Sequence, residues 1–218
     1  MYNSEKEGTS GENQREKEVI MKKIIFATSN EGKMKEIRMI LSDLNIEVLS
    51  LKEAGIDVDI EENGTTFEEN AKIKAKAIYD LTGEIVLADD SGLEVDYMDK
   101  APGVYSARFL GTDTSYDVKN QYIIDQLSDA KEEERTARFV CAIACALPGG
   151  EIITKRGTIE GVIAHTIEGE NGFGYDPIFY VPEYGCTTAE LLPEQKNLIS
   201  HRGKALSAIK EVLLSYLS

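Results

Sequence analysis

Apolar residues change their spacing several times along the chain, from short continuous runs to a helical period and back. Continuous runs predict buried strands, whereas a spacing of three to four residues predicts amphipathic helices. The predicted strands are Lys22–Thr28, Glu47–Leu51 and Glu84–Ala88. The predicted helices are Glu31–Leu41, a segment from a capping box at Thr66 and Glu69 to Gly83, Thr114–Leu127, and a C-terminal helix that includes Ala205 to Tyr216.

Two longer apolar segments, Thr136–Leu147 and Glu151–Ile159, flank the turn sequence Pro-Gly-Gly and predict an antiparallel hairpin. Strands that alternate with helices and end in a hairpin indicate an α/β fold with a mixed sheet. Residues 1–20 are polar and lack a period, so we expect an N-terminal extension, either flexible or a short docked helix. We expect residues 21–218 to form a single domain.

The composition excludes several classes of protein. The chain has 218 residues and a formal charge of −15, from 24 Lys and Arg against 39 Asp and Glu. This charge argues against a protein that coats nucleic acid or adheres to anionic lipid, because both tasks need a basic face. It is compatible with a small phosphorylated ligand, because carboxylates can hold a divalent cation that neutralises phosphates.

The location of the protein is predicted from what its sequence lacks. No run approaches the ~18 apolar residues of a membrane span, and the charged first 20 residues do not resemble a secretory signal. The three cysteines fit neither a disulfide framework nor a zinc pattern. We therefore expect a cytoplasmic protein in a reducing environment.

The segment between the first predicted strand and helix has the character of a phosphate-binding turn. Backbone N–H groups at a helix N-terminus favour an anion, and a lysine adds full charge. The spacing is not that of a Walker A loop. An ordinary helix cap with a solvated lysine is the alternative interpretation. The residues concerned are Thr28, Ser29, Asn30, Glu31, Gly32 and Lys33.

Two acidic segments are candidate metal ligands. Asp89, Asp90 and Ser91 follow the predicted buried strand, at the end where α/β sheets bind ligands. Adjacent buried carboxylates are costly unless paired, and Mg²⁺ accepts one or two carboxylates together with water and phosphate oxygens. A plain β-turn is the alternative. The acidic turn Ile60–Gly64, which includes Glu61, offers a further ligand or is simply solvated.

Two segments near the C-terminus could recognise a nucleotide base. Gly172–Pro177 holds aromatic residues between glycines, which suits stacking on a base, with a carboxylate to accept a ring N–H. Burial of these aromatics in the core is the alternative. Ser200–Lys204, with Lys196 upstream, is a basic cluster at a helix start, which calls for a compensating anion or ligand unless its histidine is a cap or core residue.

Taken together, these segments resemble a known family. TSNEGKMKE, ADDSGLEVD, PGVYSARF, GFGYDPIF and SHRGKAL follow the order of the inosine triphosphatase-like (Ham-1-like) family of XTP/dITP diphosphatases. The resemblance implies an elongated mixed β-sheet with flanking helices and two lobes around a central cleft. It implies Mg²⁺-dependent hydrolysis of ITP, dITP and XTP to the monophosphate and pyrophosphate, in a protein that is usually a homodimer.

The resemblance also assigns roles to individual residues. Asp90 is implied as the proton acceptor, with Glu61 and Asp90 as the metal ligands, while Asp89 and Lys74 lie beside them. The implied substrate contacts are Thr28, Ser29, Asn30, Glu31, Gly32, Lys33, Ser91, Phe173, Gly174, Tyr175, Asp176, Lys196, His201 and Arg202. A pyrophosphatase for other altered nucleotides, such as modified pyrimidines, and a nucleotide sensor that binds without cleaving are the rival functions. The acidic pair favours an enzyme over a sensor.

Overall fold

A computed structural model describes residues 22–217, so the predicted extension at residues 1–20 lies outside the described part. Five α-helices and seven strands are defined there, together with short 3₁₀ turns. None of these helices is long and apolar enough to span a lipid bilayer. The strands are β1 (Lys22–Phe26), β2 (Ile46–Ser50), β3 (Ile85–Val95), β4 (Thr136–Ala146), β5 (Ile152–Ile163), β6 (Phe179–Val181) and β7 (Cys186–Thr187). The helices are α1 (Glu31–Ile40), α2 (Phe67–Thr82), α3 (Tyr116–Gln126), α4 (Pro193–Ile199) and α5 (His201–Leu217).

The strands form one mixed sheet in the order β2-β1-β3-β4-β5-β6-β7. Strand β1 pairs in parallel with both β2 and β3, whereas the remaining neighbours are antiparallel. The long β4–β5 hairpin is the one predicted around the Pro-Gly-Gly turn, and β5 runs four residues further, to Ile163 rather than Ile159. The mixed sheet with its flanking helices confirms the predicted α/β class.

Strand β3 is longer than predicted, and this determines where the acidic residues lie. The sequence predicts a strand that ends at Ala88, followed by a turn at Asp89-Asp90-Ser91. The structure continues the strand to Val95, with Asp89 opposite Ile143 of β4, so both the strand end and the β-turn alternative are wrong. Its parallel neighbour β1 ends at Phe26, opposite Leu87. The acidic residues therefore lie where β3 runs on beyond the end of β1.

Helix ends follow local chemistry. Thr66 caps α2 by accepting from the backbone N–H of Glu69 at 3.1 Å, as predicted. The Glu69 carboxylate accepts from the N–H of Thr65 at 2.7 Å, one residue before the position of a standard capping box. Gly83 ends the helix at φ 68°, a left-handed conformation that glycine adopts without steric cost.

Apolar side chains fill both faces of the sheet. One cluster joins α1 and α5 to the sheet through residues such as Met34, Ile37 and Leu206. A second cluster packs Phe67 and Ile78 of α2 on the opposite face. Burial of this apolar surface supplies the main favourable term in folding. The helices whose N-termini carry the candidate site are therefore held rigidly against the sheet.

Candidate active site

All the segments singled out in the sequence meet at one cavity of about 510 Å³. The β1–α1 loop, the 51–62 segment, residues 106–116 and residues 173–176 all contribute to its lining. Predicted substrate residues that line it are Thr28, Ser29, Asn30, Lys33, Ser91, Phe173, Gly174, Tyr175, Asp176, Lys196, His201 and Arg202. Among the described residues, Glu31, Gly32, Glu61 and Asp90 are predicted site residues that do not line it.

The β1–α1 loop presents the start of α1 to the cavity. Asn30 is the N-cap, and its Oδ1 accepts from the backbone N–H of Lys33 at 3.0 Å. The backbone N–H of Asn30 donates to Thr28 Oγ1 at 3.2 Å. A Cβ on Gly32 would lie 3.0 Å from the ring of Phe173, so this glycine admits an aromatic side chain. The helix start is thus both capped and open to the cavity, which suits an anion.

Asp89 lies beneath the cavity as a buried anion with two cationic partners. Lys33 Nζ lies 3.0 Å from its carboxylate, and Arg202 Nη2 lies 3.2 Å from it. Burial raises the pKa of Asp89, but the charges of Lys33, Arg202 and Lys74 outweigh it and hold the pKa well below its ordinary value. Asp89 is therefore ionised and serves to place the two cations.

Asp90 has a different environment from its neighbour. Successive side chains of a strand point to opposite faces, so the two carboxylates have different hydrogen-bond partners, although the charge of Lys74 acts on both. Asn70 Nδ2 donates to Asp90 Oδ2 at 2.9 Å, and the backbone N–H of Ser91 donates to Oδ1 at 3.0 Å. Burial raises the pKa of Asp90 above its ordinary value, although Lys74 and Asn70 oppose this.

The acidic turn approaches this strand through Glu62. Lys74 Nζ lies 2.8 Å from Glu62, and both residues line the cavity. Burial lowers the pKa of Lys74, but the charges of Asp89, Glu62 and Asp90 outweigh it and raise the pKa above its ordinary value. Three carboxylates therefore create a negative potential that already attracts one cation. The side chain of Glu61 is exposed, and its role as a metal ligand stays a prediction.

A buried carboxylate on α1 neutralises the basic cluster. Lys196 Nζ lies 2.8 Å from Glu36 Oε1, and Arg202 pairs with the other oxygen of the same carboxylate. Lys196 also lies 2.7 Å from Asp176. The compensating anions expected for the basic residues at the start of α5 are carboxylates of the protein itself, namely Glu36, Asp89 and Asp176.

The glycine-flanked loop contributes one aromatic wall. Phe173 lines the cavity, with Lys196 Nζ 5.1 Å and Arg202 Cζ 5.6 Å from its ring centroid. Asp176 is buried, and its Oδ2 accepts from the backbone N–H of Phe173 at 2.8 Å. Thr188 Oγ1 donates to the other oxygen at 2.8 Å. The carboxylate of Asp176 therefore fixes the loop and places Phe173 at the cavity. The ring of Phe173 lies within cation–π distance of Lys196 and Arg202.

Two other predicted residues have structural partners. Tyr175 is 4% exposed and donates its hydroxyl to the carbonyl of Ser106 at 2.8 Å, so the core alternative applies to this aromatic. His201 stacks on Phe139 with ring centroids 4.8 Å apart. Burial, with the charges of Arg202 and Lys196, lowers the pKa of His201 well below its ordinary value. The imidazole is therefore neutral, and its Nδ1 has no hydrogen-bond partner among the described residues.

The sequence does not single out Glu36 or Asn70, and within the acidic turn it favours Glu61, whereas Glu62 is the residue that lines the cavity. Asn70 occupies a position on the buried stripe of α2, next to Ala71, and a polar residue on an apolar stripe is a usable signal. Glu36 follows Lys33 by three residues and so lies on the same face of α1. Nothing in the sequence indicates which cations Glu36 contacts, because Lys196 and Arg202 are far away along the chain.

Comparisons with known proteins identify the family. A model of the Ham1 family matches residues 24–212. A dITP/XTP pyrophosphatase of Clostridium perfringens is 50% identical over 199 residues, covering 88% of this chain and 98% of the relative. One from Bacillus subtilis is 46% identical over 195 residues, covering 89% and 98%.

Solved structures show the same fold. A HAM1 protein from Coxiella burnetii matches with a TM-score of 0.81 at 42% identity, covering 89% of this chain and 100% of that chain. The Ham1 protein of Staphylococcus aureus matches with a TM-score of 0.80 at 41% identity and the same coverage. With a family model that spans most of the described residues and relatives this similar over nearly their whole length, the chain belongs to the Ham1 family.

Proposed function

We propose that this protein hydrolyses the deaminated purine nucleoside triphosphates ITP, dITP and XTP to the monophosphate and pyrophosphate, and so removes them from the nucleotide pool. The relatives named dITP/XTP pyrophosphatase support the substrate class. The observation that carries the proposal is the shared cavity. Lys33 at the start of α1, the Glu62–Lys74 pair and the aromatic Phe173 line the same cavity. A single ligand with a polyphosphate chain and a base can therefore contact all of them.

The donor set fits a magnesium ion. Within residues 22–217, no three His, Cys, Asp or Glu side chains are grouped so as to hold a metal alone. Mg²⁺ in phosphoryl-transfer sites typically uses one or two carboxylates together with water and substrate phosphates, so a sparse set is appropriate. We assign Asp90 and the acidic turn, with Glu61 as its ligand, to this ion. When bound, Mg²⁺ would offset the negative charge that develops on the phosphate oxygens.

We assign different roles to Asp89 and Asp90. Asp89 is a poor proton acceptor, because Lys33 and Arg202 stabilise its ionised form. Asp90 accepts instead from two neutral donors, Asn70 and the backbone N–H of Ser91, and is the better candidate base. We assign Asp90 to orient a water molecule towards the α-phosphorus and accept its proton. Lys33 and the N–H groups at the start of α1 hold the pyrophosphate that leaves, with Thr28, Ser29 and Asn30 shaping the loop.

The part of the cavity lined by Phe173 and Arg202 suits a 6-oxopurine. Phe173 offers a ring face for stacking, and the guanidinium of Arg202 lies beside it as a donor. An N–H donor satisfies the 6-oxo group of hypoxanthine or xanthine but meets the amino group of adenine unfavourably. Leaving such a buried group unpaired costs about 1–3 kcal/mol, which discriminates against adenine. Lys196, Asp176 and His201 complete this part of the site as substrate contacts.

We infer the partners, location and oligomeric state of the protein from its charge, its cysteines and the family resemblance. Its charge of −15 supports an enzyme that acts on free nucleotides rather than on nucleic acid or at a membrane surface. The three cysteines, which fit no disulfide framework, support a cytoplasmic location, and the family resemblance supports a homodimer. Size-exclusion chromatography with light scattering measures the second of these directly, and a mass equal to one chain would exclude the dimer.

Product analysis with a panel of triphosphates tests the function. We expect pyrophosphate and a monophosphate from dITP, ITP and XTP with Mg²⁺, and neither product after chelation of the metal. Turnover of dGTP is expected to be much slower, because its 2-amino group must be excluded. Equal turnover of dITP and dGTP would refute the proposed selectivity, and nucleotide binding without cleavage would favour a sensor.

A further inference from the structure

Asn70 is a buried polar residue in the first turns of α2, and both ends of its side-chain amide are used. Its Nδ2 donates to Asp90 Oδ2 at 2.9 Å. Its Oδ1 accepts from the backbone N–H of Gly64 at 2.8 Å. The residue is 1% exposed, so neither bond can be replaced by bulk water. One amide group therefore connects the acidic turn, which ends at Gly64, to the strand that carries Asp90.

The start of α2 packs closely against both the acidic turn and strand β3. A Cβ built on Gly64 would lie 2.7 Å from Asn70 Oδ1 and 2.7 Å from Glu69 Cβ, closer than real Cβ contacts allow. At the other side, a Cβ on Gly92 of β3 would lie 3.0 Å from Phe67 of α2. The start of α2 is thus pressed against both the turn and the strand, so a shift of one is transmitted to the others.

We propose that Asn70 is a positioning residue that sets the spacing and orientation of the two carriers of magnesium ligands, Asp90 and the acidic turn. The inference rests on the metal-dependent function proposed above. Asp90 receives one donor on each oxygen, from Asn70 and from the N–H of Ser91. An ionised carboxylate has about four lone-pair sites, so these two bonds fix its plane and leave lone pairs for a cation.

A test on the nucleotide-free protein separates positioning from catalysis. Asn70→Leu is nearly isosteric and removes both hydrogen bonds, while Gly64→Ala keeps the amide of Asn70 but forces the turn and the Asn70 side chain apart. Asn45→Ala is the matched control, because Asn45 is an exposed asparagine that does not line the cavity. Binding of Mn²⁺ as a magnesium probe is followed by electron paramagnetic resonance, and circular dichroism and thermal unfolding establish that each variant is folded.

We expect Mn²⁺ to bind roughly 10-fold more weakly to both variants, the lower end of the effect of removing a group that orients metal ligands. Asn45→Ala should bind as the wild type does. In steady-state assays the variants should recover kcat as Mg²⁺ is raised, with an unchanged KM for nucleotide. A folded Asn70→Leu or Gly64→Ala protein with wild-type Mn²⁺ affinity overturns the positioning role. Absence of Mn²⁺ binding by the wild type even with a non-hydrolysable dITP analogue bound would instead refute the metal site of the proposed function.

Discussion

The ammonium of Lys33 lies 3.0 Å from the carboxylate of Asp89 and joins helix α1 to strand β3 beneath the cavity. Asp89 is 1% exposed and also contacts Arg202 of helix α5. One buried carboxylate therefore fixes three elements of the site relative to one another. Its ion pairs are shielded from water, so they are not weakened by solvent as surface pairs are.

Replacement of Asp89 tests this arrangement. Asp89→Asn leaves Lys33 and Arg202 with less negative charge in a buried setting. Breaking a buried pair by removing one partner costs about 3–5 kcal/mol, so we expect a loss of that order in the free energy of unfolding. Urea denaturation measures it. Asp43→Asn is the control, since Asp43 pairs with Lys210 at the surface and should change little. Equal stability of wild type and Asp89→Asn would contradict the anchoring role.

Asp90→Asn should separate chemistry from binding. The amide keeps the shape of the side chain but cannot accept a proton, and a positioned general base contributes roughly 10²–10⁴-fold in rate. We expect a loss of kcat of that order at saturating Mg²⁺, measured as pyrophosphate release from dITP. Asp113→Asn, in an exposed turn outside the cavity, should be as active as the wild type. Near-normal turnover by Asp90→Asn would show that another group activates the water.

Phe173→Ala should weaken substrate binding and leave the chemical step largely intact. Stacking of a base on an aromatic side chain is worth about 1–3 kcal/mol, and the ring also contacts Lys196 and Arg202 through its face. We therefore expect KM for dITP to rise at least ~5-fold, with a smaller change in kcat. Steady-state kinetics measure both.

Tyr184→Ala provides the matched control for the loss of an aromatic ring, because Tyr184 is exposed and does not line the cavity. Its KM for dITP should equal that of the wild type. If Phe173→Ala also has the wild-type KM, the base does not stack on this ring.

The sequence predicted the elements well where periodicity is strong, and failed where charge interrupts a strand. The sequence predicts a strand over Glu84–Ala88 and a turn at Asp89 and Asp90. In the structure the backbone of β4 pairs with both aspartates. Strand pairing is a tertiary property, and the run of residues around the acids carries no sign of it. The capped starts of α1 and α2, by contrast, depend on local hydrogen bonds and were visible in the sequence.

Within the site, residue types were predictable but partners were not. Lys33, Arg202 and Lys196 stood out as cations in an acidic chain. Their partners lie on other elements, since Glu36 meets Lys196 160 residues away along the chain. The sequence therefore indicates a phosphate-binding turn and a basic cluster, while the folded structure alone shows that buried carboxylates join them.

Asp96 gives a pH-dependent prediction away from the cavity. Its carboxylate accepts from Arg138 at 3.0 and 3.1 Å and from Thr136 at 2.6 Å. The hydrogen bonds from Arg138, followed by those from Lys100 and Thr136, outweigh partial burial and hold the pKa of Asp96 well below its ordinary value. A depressed folded-state pKa stabilises the protein above the unfolded value of about 3.9, and this contribution is lost as the pH falls below it.

Asp96→Asn should therefore lower the unfolding free energy at pH 7 and have a smaller effect at pH 3. The side chain is 27% exposed, so solvent reduces the size of the difference. Urea denaturation of both proteins at the two pH values measures it. An equal loss at pH 7 and pH 3 would show that the hydrogen bonds, rather than the charge of Asp96, stabilise this end of β3.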